Sequence, residues 1–313
     1  MKSIRVMAPG LLTTVQDLGR EGYGPMGVSR SGAADALSLR LGNRLVGNAE
    51  RAAGLEMTLL GGAFTFPEGA VIALTGSDFR ATLDGETVPL YTTMRVREGQ
   101  TLRLGSTRSG ARSYLCVQGG IQVDAFLGSA STHLLSGLGG FEGRPVRKGD
   151  VLQIGPSANP FRKAAISPKA LKQLLPRKVL RATAGPQSDW FSKSSTNAFY
   201  KSIYRVGEKS DRMGIRLEGQ PVPGKREGDM ISEGVSNGAV QIPSGGLPII
   251  LFVEQQTTGG YPKIANVISA DFASLGQLRP RDEIRFEQVG CNTARSLLLE
   301  QENLLSLESL IVE

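Results

Sequence analysis

Residues 248–264 read PIILFVEQQTTGGYPKI, and the change of character at Glu254 governs how the chain is understood. Pro248–Val253 is short, continuous, apolar and β-branched, the signature of a buried strand. From Glu254 onward the same chain turns polar. Gln256, Thr257 and Thr258 offer an amide and two hydroxyls, while Gly259 and Gly260 permit a positive φ or a close approach of backbone to a ligand. A rigid strand thus delivers a hydrogen-bonding loop to one place. The competing reading is a tight turn whose Gln and Thr side chains satisfy local backbone groups.

Outward from this segment the chain keeps a β-rich pattern. Its 40 glycines among 313 residues are dispersed between short β-prone runs, as many tight turns require. Strands are expected at 70–75, 101–104, 113–118, 151–154, 239–242, 248–253 and 283–286. Helices are few. Ala34–Val46 sets Leu37, Leu41 and Leu45 on one stripe with Gly47-Asn48 to end it, and Thr293–Ile311 carries Leu297, Leu298, Leu304 and Leu305 at helical spacing. Docking of that tail on its own body is preferred to a partner helix. Pro160, Pro168 and Pro176 bracket a basic segment that interrupts the strands. The expected organisation is an N-terminal β-barrel lobe with one helix over 1–160, a basic linker over 161–178, and a C-terminal β lobe with a terminal helix over 179–313. VREGQTLRLG (96–105), VRKGDVLQIG (146–155) and LRPRDEIRFE (278–287) each run from a charged turn into an alternating strand, so the lobes read as related.

Composition narrows the function. No stretch of about 18 apolar residues spans a bilayer and the N-terminus lacks an apolar signal region, so a cytoplasmic protein without membrane association is expected. The net charge of +7, from 36 Lys and Arg against 29 Asp and Glu, is spread along the chain. The densest basic run, 161–178, has no interleaved aromatics, and nucleic-acid binding is not expected. Cys116 and Cys291 lie far apart and read as free thiols rather than metal ligands; no metal site is expected. His133 is the single histidine, which excludes a multi-His metal site, and no Walker-type loop is present.

With histidine scarce, proton transfer falls to carboxylates, Lys, Tyr or water. Asp78 follows the apolar run VIALT and the turn Gly76-Ser77, where a strand end can present a carboxylate; an Asx-turn is the other reading. Further polar clusters are TTVQDLGR (13–20), SRSGAAD (29–35), KSDRMG (209–214) and ISEGV (231–235). Ser31 and Asp35 stand where helix caps and first-turn acids are favoured.

LLTTVQDLGREGY, GVSRSGAADALSLRLGNRLVGN, LTGSD, GARSYLCVQGGI, LGSASTH, GPQSDWF, SDRMGIRLEG, ISEGVSNGAVQIP and EQQTTGGYPKI occur here in one order along essentially the whole chain. Taken together they resemble the biotin-dependent carboxyltransferase-like family. That family includes the C-type component of 5-oxoprolinase, KipA-type proteins and allophanate hydrolase subunit 2, the counterpart of half of the urea carboxylase carboxyltransferase region. The pattern departs at Ala34, Cys116, Ile215 and Glu254, where the family commonly carries Met, Ala, Tyr and Asp. Only the change at Ile215 removes a polar group, the tyrosine hydroxyl.

The resemblance implies cyclophilin-like β-barrel lobes and a complex with a KipI-like sister chain, the B-type component of 5-oxoprolinase. Two chemistries follow. One is ATP-dependent opening of 5-oxoproline to glutamate with a LamB/YcsF-type chain, the A-type component of the same enzyme. In that case this chain binds no cofactor alone and ATP lies on one of its partners. The other is carboxyl transfer from carboxybiotin to urea or a related amide, the only case that needs biotin. A non-catalytic antagonist of a KipI-like kinase inhibitor is the third reading. The oxoprolinase is preferred because no biotin-attachment site or ATP-grasp-like module is fused to the chain, and turnover by the isolated chain is not expected. Both chemistries act on a small amide substrate and need donors for a developing oxyanion. The residues assigned to catalysis are Asp78, Arg212, Gln256 and Thr258, and those assigned to substrate binding are Arg112, Glu233, Thr257, Gly259, Gly260 and Tyr261.

Overall fold

The computed structural model describes residues 2–225 and 230–312. They form two compact units, one of Met1–Arg20, Ser31–Gln173 and Leu307–Glu313, the other of Glu21–Arg30 and Leu174–Ser306. The mainly β architecture with few helices is as expected, and each unit builds it differently.

In the first unit two sheets enclose one apolar core. A seven-stranded sheet runs in the order Ile121–Gln122, Val151–Ile154, Ser3–Ala8, Ala63–Thr65, Thr101–Arg103, Thr82–Leu83, Glu86–Thr87. A five-stranded sheet runs Leu12–Gln16, Gly54–Thr58, Arg112–Val117, Ala70–Gly76, Thr93–Val96. Strand alternation explains the core: Val15, Leu55, Leu115, Val117, Ile72 and Leu74 join Ile4, Val6, Phe64, Leu102 and Leu152 in one buried cluster. The opposite face of the five-stranded sheet is polar although buried. Thr14, Glu56, Tyr114 and Thr75 are successive cross-strand partners, and all four are nearly inaccessible.

The helix Ala36–Leu45 covers that polar face. Asp35 caps it by accepting from the Ser38 amide at 3.0 Å, and the Thr75 hydroxyl donates to the Ser38 carbonyl at 2.7 Å. The helix approaches closely because Gly42 has no side chain: a Cβ there would lie 2.6 Å from Cys116 Sγ and 3.1 Å from Thr75 Oγ1. Gly42→Ala is therefore expected to lower stability by about 1–3 kcal/mol through overpacking, despite the better helix propensity of alanine. Chemical denaturation checks it, and adding Cys116→Ala should restore part of the loss by removing the nearer obstacle.

Residues 161–178, expected as a linker, are partly ordered into elements. Ala165–Ile166 pairs with Ile311–Val312, and Pro168–Leu174 is helical. The last residues of the chain therefore return to the first unit. That pairing joins strands more than 140 positions apart and leaves no local signature in two such short strands.

The second unit contains a closed barrel ordered Val179–Ala184, Lys263–Val267, Ala239–Gln241, Ile249–Leu251, Gly214–Glu218, Tyr204–Val206, Glu283–Gln288. Its strands pair antiparallel except at the closure, where Val179–Ala184 lies parallel to Glu283–Gln288. Leu180, Ala182, Val240, Ile250, Ala265, Val267, Ile284 and Phe286 are buried, and Phe199 of the helix Lys193–Lys201 stacks on Phe286 at 4.5 Å. The tail helix, Cys291–Ser306, packs on its own unit, with Gln301 Nε2 donating to the Ala270 carbonyl at 3.1 Å. No helix among the described residues is long and apolar enough to cross a membrane.

Candidate functional site

The strand Ile249–Leu251 ends where Arg212 and Glu254 meet. Their backbones pair through the Glu254 amide to the Arg212 carbonyl at 2.8 Å, and Arg212 Nε donates to Glu254 Oε1 at 2.5 Å with side chains 6% and 2% exposed. A buried, closed ion pair thus fixes the start of the polar loop.

Beyond this anchor the loop becomes a strand. Thr258–Gly259 pairs antiparallel with Glu233–Gly234, so the ISEGV and QTTGG motifs, separated by more than 20 residues, make one two-stranded ribbon. The Val235 amide donates to the Thr257 carbonyl at 3.1 Å, and the Met230 amide to the Gly260 carbonyl at 3.1 Å. The sequence allows Gly259 and Gly260 either a positive φ or a close approach. Neither adopts the left-handed backbone; close approach is what they provide. A Cβ on Gly259 would lie 2.5 Å from Gln241 Nε2 and 2.9 Å from Gln256 Nε2. Two amide nitrogens therefore converge on the bare face of this glycine.

The charges of the site lie beside that glycine. Glu233, the strand partner of Gly259, accepts from Lys263 Nζ at 2.5 Å and from Gln187 Nε2 at 2.9 Å through the same oxygen, Oε1. Gln187 is itself held, its Oε1 accepting from the Lys263 amide at 3.2 Å. Lys263 is the cross-strand partner of Gln241, which puts their side chains on one face. The Lys263 ammonium, and then the Gln187 amide, hold the Glu233 carboxyl below its ordinary range, so it is ionised at neutral pH. Its charge is lost only as pH falls through that depressed value. Gln241 is 2% exposed and its Nε2 has no hydrogen-bond partner among the described residues. A buried amide donor left without a partner normally costs on the order of 1–3 kcal/mol.

Of the residues singled out from sequence, Gln256, Thr257, Thr258, Gly259, Gly260, Tyr261 and Glu233 come together on this ribbon, with Arg212 at its base. Gln256 and Thr258 are exposed and Tyr261 is 37% exposed. Asp78 and Arg112 belong to the first unit. The Asp78 carboxylate accepts from the Arg80 amide at 2.7 Å and lies 3.3 Å from the exposed Arg108 guanidinium. Arg112 pairs with Glu56 at 3.5 Å under the helix, where Glu56 also accepts from the Ala34 amide at 2.8 Å and the Tyr114 hydroxyl at 2.7 Å. Burial, and next the Glu56 charge, push the Tyr114 hydroxyl well up, so it stays a proton donor to Glu56. Another buried carboxylate in this unit, Asp17, accepts from Ser129, Ser131 and the Gly19 and Ala130 amides, a closed arrangement. His133 Nδ1 accepts from the Ser136 amide at 3.2 Å in a local turn. Cys116 is buried against the helix, which pushes its thiol up, whereas Cys291 is exposed.

Lys263, Gln187 and Gln241 are site residues that sequence reasoning does not single out. Lys263 offers one signal, a lysine opening the apolar run KIANVI, where a strand bound for a barrel should begin with an apolar residue. Gln187 and Gln241 offer none, because a glutamine in a turn or at a strand end is ordinary.

The family model described as carboxyltransferase domain, subdomain A and B, matches residues 26–288. Similar proteins include the C component of 5-oxoprolinase from Escherichia coli, 39% identical over 98% of this chain and 97% of that protein. The chain is also 39% identical to the corresponding 5-oxoprolinase component of Haemophilus influenzae, over 92% of each. Urea amidolyase of Saccharomyces cerevisiae is 35% identical over 96% of this chain, which spans 17% of that protein. Among solved structures, the K. lactis urea amidolyase superposes with a TM-score of 0.90 at 32% identity, over 97% of this chain and 20% of that one.

Proposed function

Because this chain belongs to the carboxyltransferase-domain family, subdomains A and B, we propose that it is the C-type component of a 5-oxoprolinase, a hydrolase complex that opens 5-oxoproline to glutamate with ATP. One observation carries the reading: the near end-to-end match, 39% identical, to the 5-oxoprolinase component of E. coli. The urea amidolyases match as well, but there the corresponding segment is under a fifth of a much longer chain.

In this reading the ribbon Glu233–Gly234 with Thr258–Gly259 faces the substrate. Ring opening puts negative charge on the lactam oxygen as its carbonyl is attacked, and donors already in place lower that barrier most. The Gln241 and Gln256 amides beside Gly259 supply them. Arg212 and Glu254 hold the loop so that these groups need not reorganise. ATP, and the phosphate chemistry that activates the lactam, lie with two partners in the cytoplasm, one KipI-like and one of LamB/YcsF type.

The isolated chain is accordingly expected to give no measurable 5-oxoproline-dependent ATP hydrolysis, and activity is expected when it is co-purified with the two partners. A coupled phosphate-release assay on the chain alone and on the assembled complex checks both statements. Robust turnover by the isolated chain would refute the division of labour, and carboxyl transfer to urea by a biotin-containing complex would refute the substrate.

A further inference from the structure

The ion pairs of this chain differ in which partner is buried. In Arg212–Glu254 and Arg112–Glu56 both side chains are under a tenth exposed, and in Arg181–Asp271 the carboxylate is 1% exposed. These carboxylates are fixed parts of the interior. Lys263–Glu233 is arranged the other way: the ammonium is 3% exposed and the carboxylate 42%. A buried ammonium requires an anion, since a lone charge taken out of water is strongly disfavoured. Nothing requires that anion to be this glutamate, which sits on a two-residue strand and reaches Lys263 from the solvent side. Its oxygen is also met by Gln187, whose amide is oriented by the backbone of Lys263 itself. The donors are thus organised around the position of a carboxylate oxygen, and the open Gln241 amide lies on the same face.

We propose that Lys263, Gln187 and Gln241 form a receptor for the carboxylate of a small substrate, and that Glu233 occupies it in the unliganded chain as an internal competitor. A substrate carboxylate displaces Glu233 outward, takes the Lys263 and Gln187 donors on one oxygen, and accepts one of the two Gln241 Nε2 hydrogens with the other, leaving the second for the lactam oxygen. The exchange keeps the buried ammonium paired throughout, which makes it low in cost. It also selects: a lactam with a carboxylate is retained and a neutral amide is not. The inference rests on the reading above only in placing the substrate at this ribbon.

Calorimetric titration of the full chain with L-5-oxoproline, 2-pyrrolidinone and acetate tests it. The first two share the ring amide and differ in the carboxylate, and acetate has the carboxylate alone. L-5-oxoproline is expected to bind and 2-pyrrolidinone not to bind. Glu233→Gln should tighten carboxylate binding about tenfold, the gain expected if the competitor fills the site about nine-tenths of the time. Lys263→Met should abolish it. Equal binding of 2-pyrrolidinone, or L-5-oxoproline affinity indifferent to both substitutions, overturns the receptor while leaving the oxoprolinase reading intact. Binding of acetate that is tightened by Glu233→Gln, with none of L-5-oxoproline, supports the receptor and removes the oxoprolinase reading. Should Lys263→Met melt below the assay temperature, a Glu233→Gln chain with no gain in affinity is enough to overturn the proposal.

Discussion

Arg212→Met is expected to lower the melting temperature of the chain by roughly 6–20 °C. Arg212 and Glu254 are 6% and 2% exposed and joined at 2.5 Å. Removing the guanidinium leaves the Glu254 carboxylate buried without its counter-ion, a loss of about 3–5 kcal/mol. For a domain of this size each kcal/mol moves the melting point by about 2–4 °C. The damage comes from the orphaned charge rather than from the absent attraction, because burying an ion pair is itself costly. The double replacement Arg212→Met with Glu254→Leu should therefore recover most of the loss, and differential scanning calorimetry of the two variants measures it. A double variant as unstable as the single one would mean that the arginine supports the loop through packing and not through charge.

Gly259→Ala should behave in the opposite sense, sparing the fold and disabling the site. The added methyl meets the far ends of two glutamine side chains, Nε2 of Gln241 at 2.5 Å and of Gln256 at 2.9 Å, and no backbone closer than these. Such ends move aside at little cost in stability, and Gly259 does not need a positive φ. What is lost is the placement of the two amide donors. If they stabilise charge developing on the lactam oxygen, turnover of the assembled complex should fall on the order of 10²-fold or more, in kcat rather than in KM alone. Melting temperature and steady-state kinetics of the same preparation separate the outcomes. A large drop in melting temperature with unchanged specific activity would make the ribbon a self-satisfied turn, the other way to read QTTGG.

These two residues mark how far the sequence carries. Local patterns fix what is local: the run PIILFV becomes the strand Ile249–Leu251, Val151–Ile154 forms as read, and Asp35 caps the helix whose leucine stripe announces it. A period of two or 3.6 in hydrophobicity is written in consecutive residues, so it survives without any knowledge of the fold. The polar character of residues 254–261 is equally explicit, and so is the clustering of candidates in that loop. The family resemblance, too, lies entirely in the ordered motifs.

Partnership is what consecutive residues do not encode. The pairing of Glu233 with Gly259, the convergence of Gln187, Gln241 and Lys263, and the return of Ile311–Val312 to Ala165–Ile166 each join positions more than 20 apart. They arise because barrel closure and sheet register bring distant strands side by side, and register is set by the whole apolar pattern. Burial is decided the same way. In sequence Arg212, Arg112 and Lys263 are simply three cations, and tertiary structure gives the first two permanent buried carboxylates while leaving the third facing a carboxylate that reaches in from solvent. The sequence by itself determined the main strands and helices, the family and the polar character of the loop; which charges are locked and which are open to exchange was decided only when the barrel closed and removed the lysine, but not its glutamate, from water.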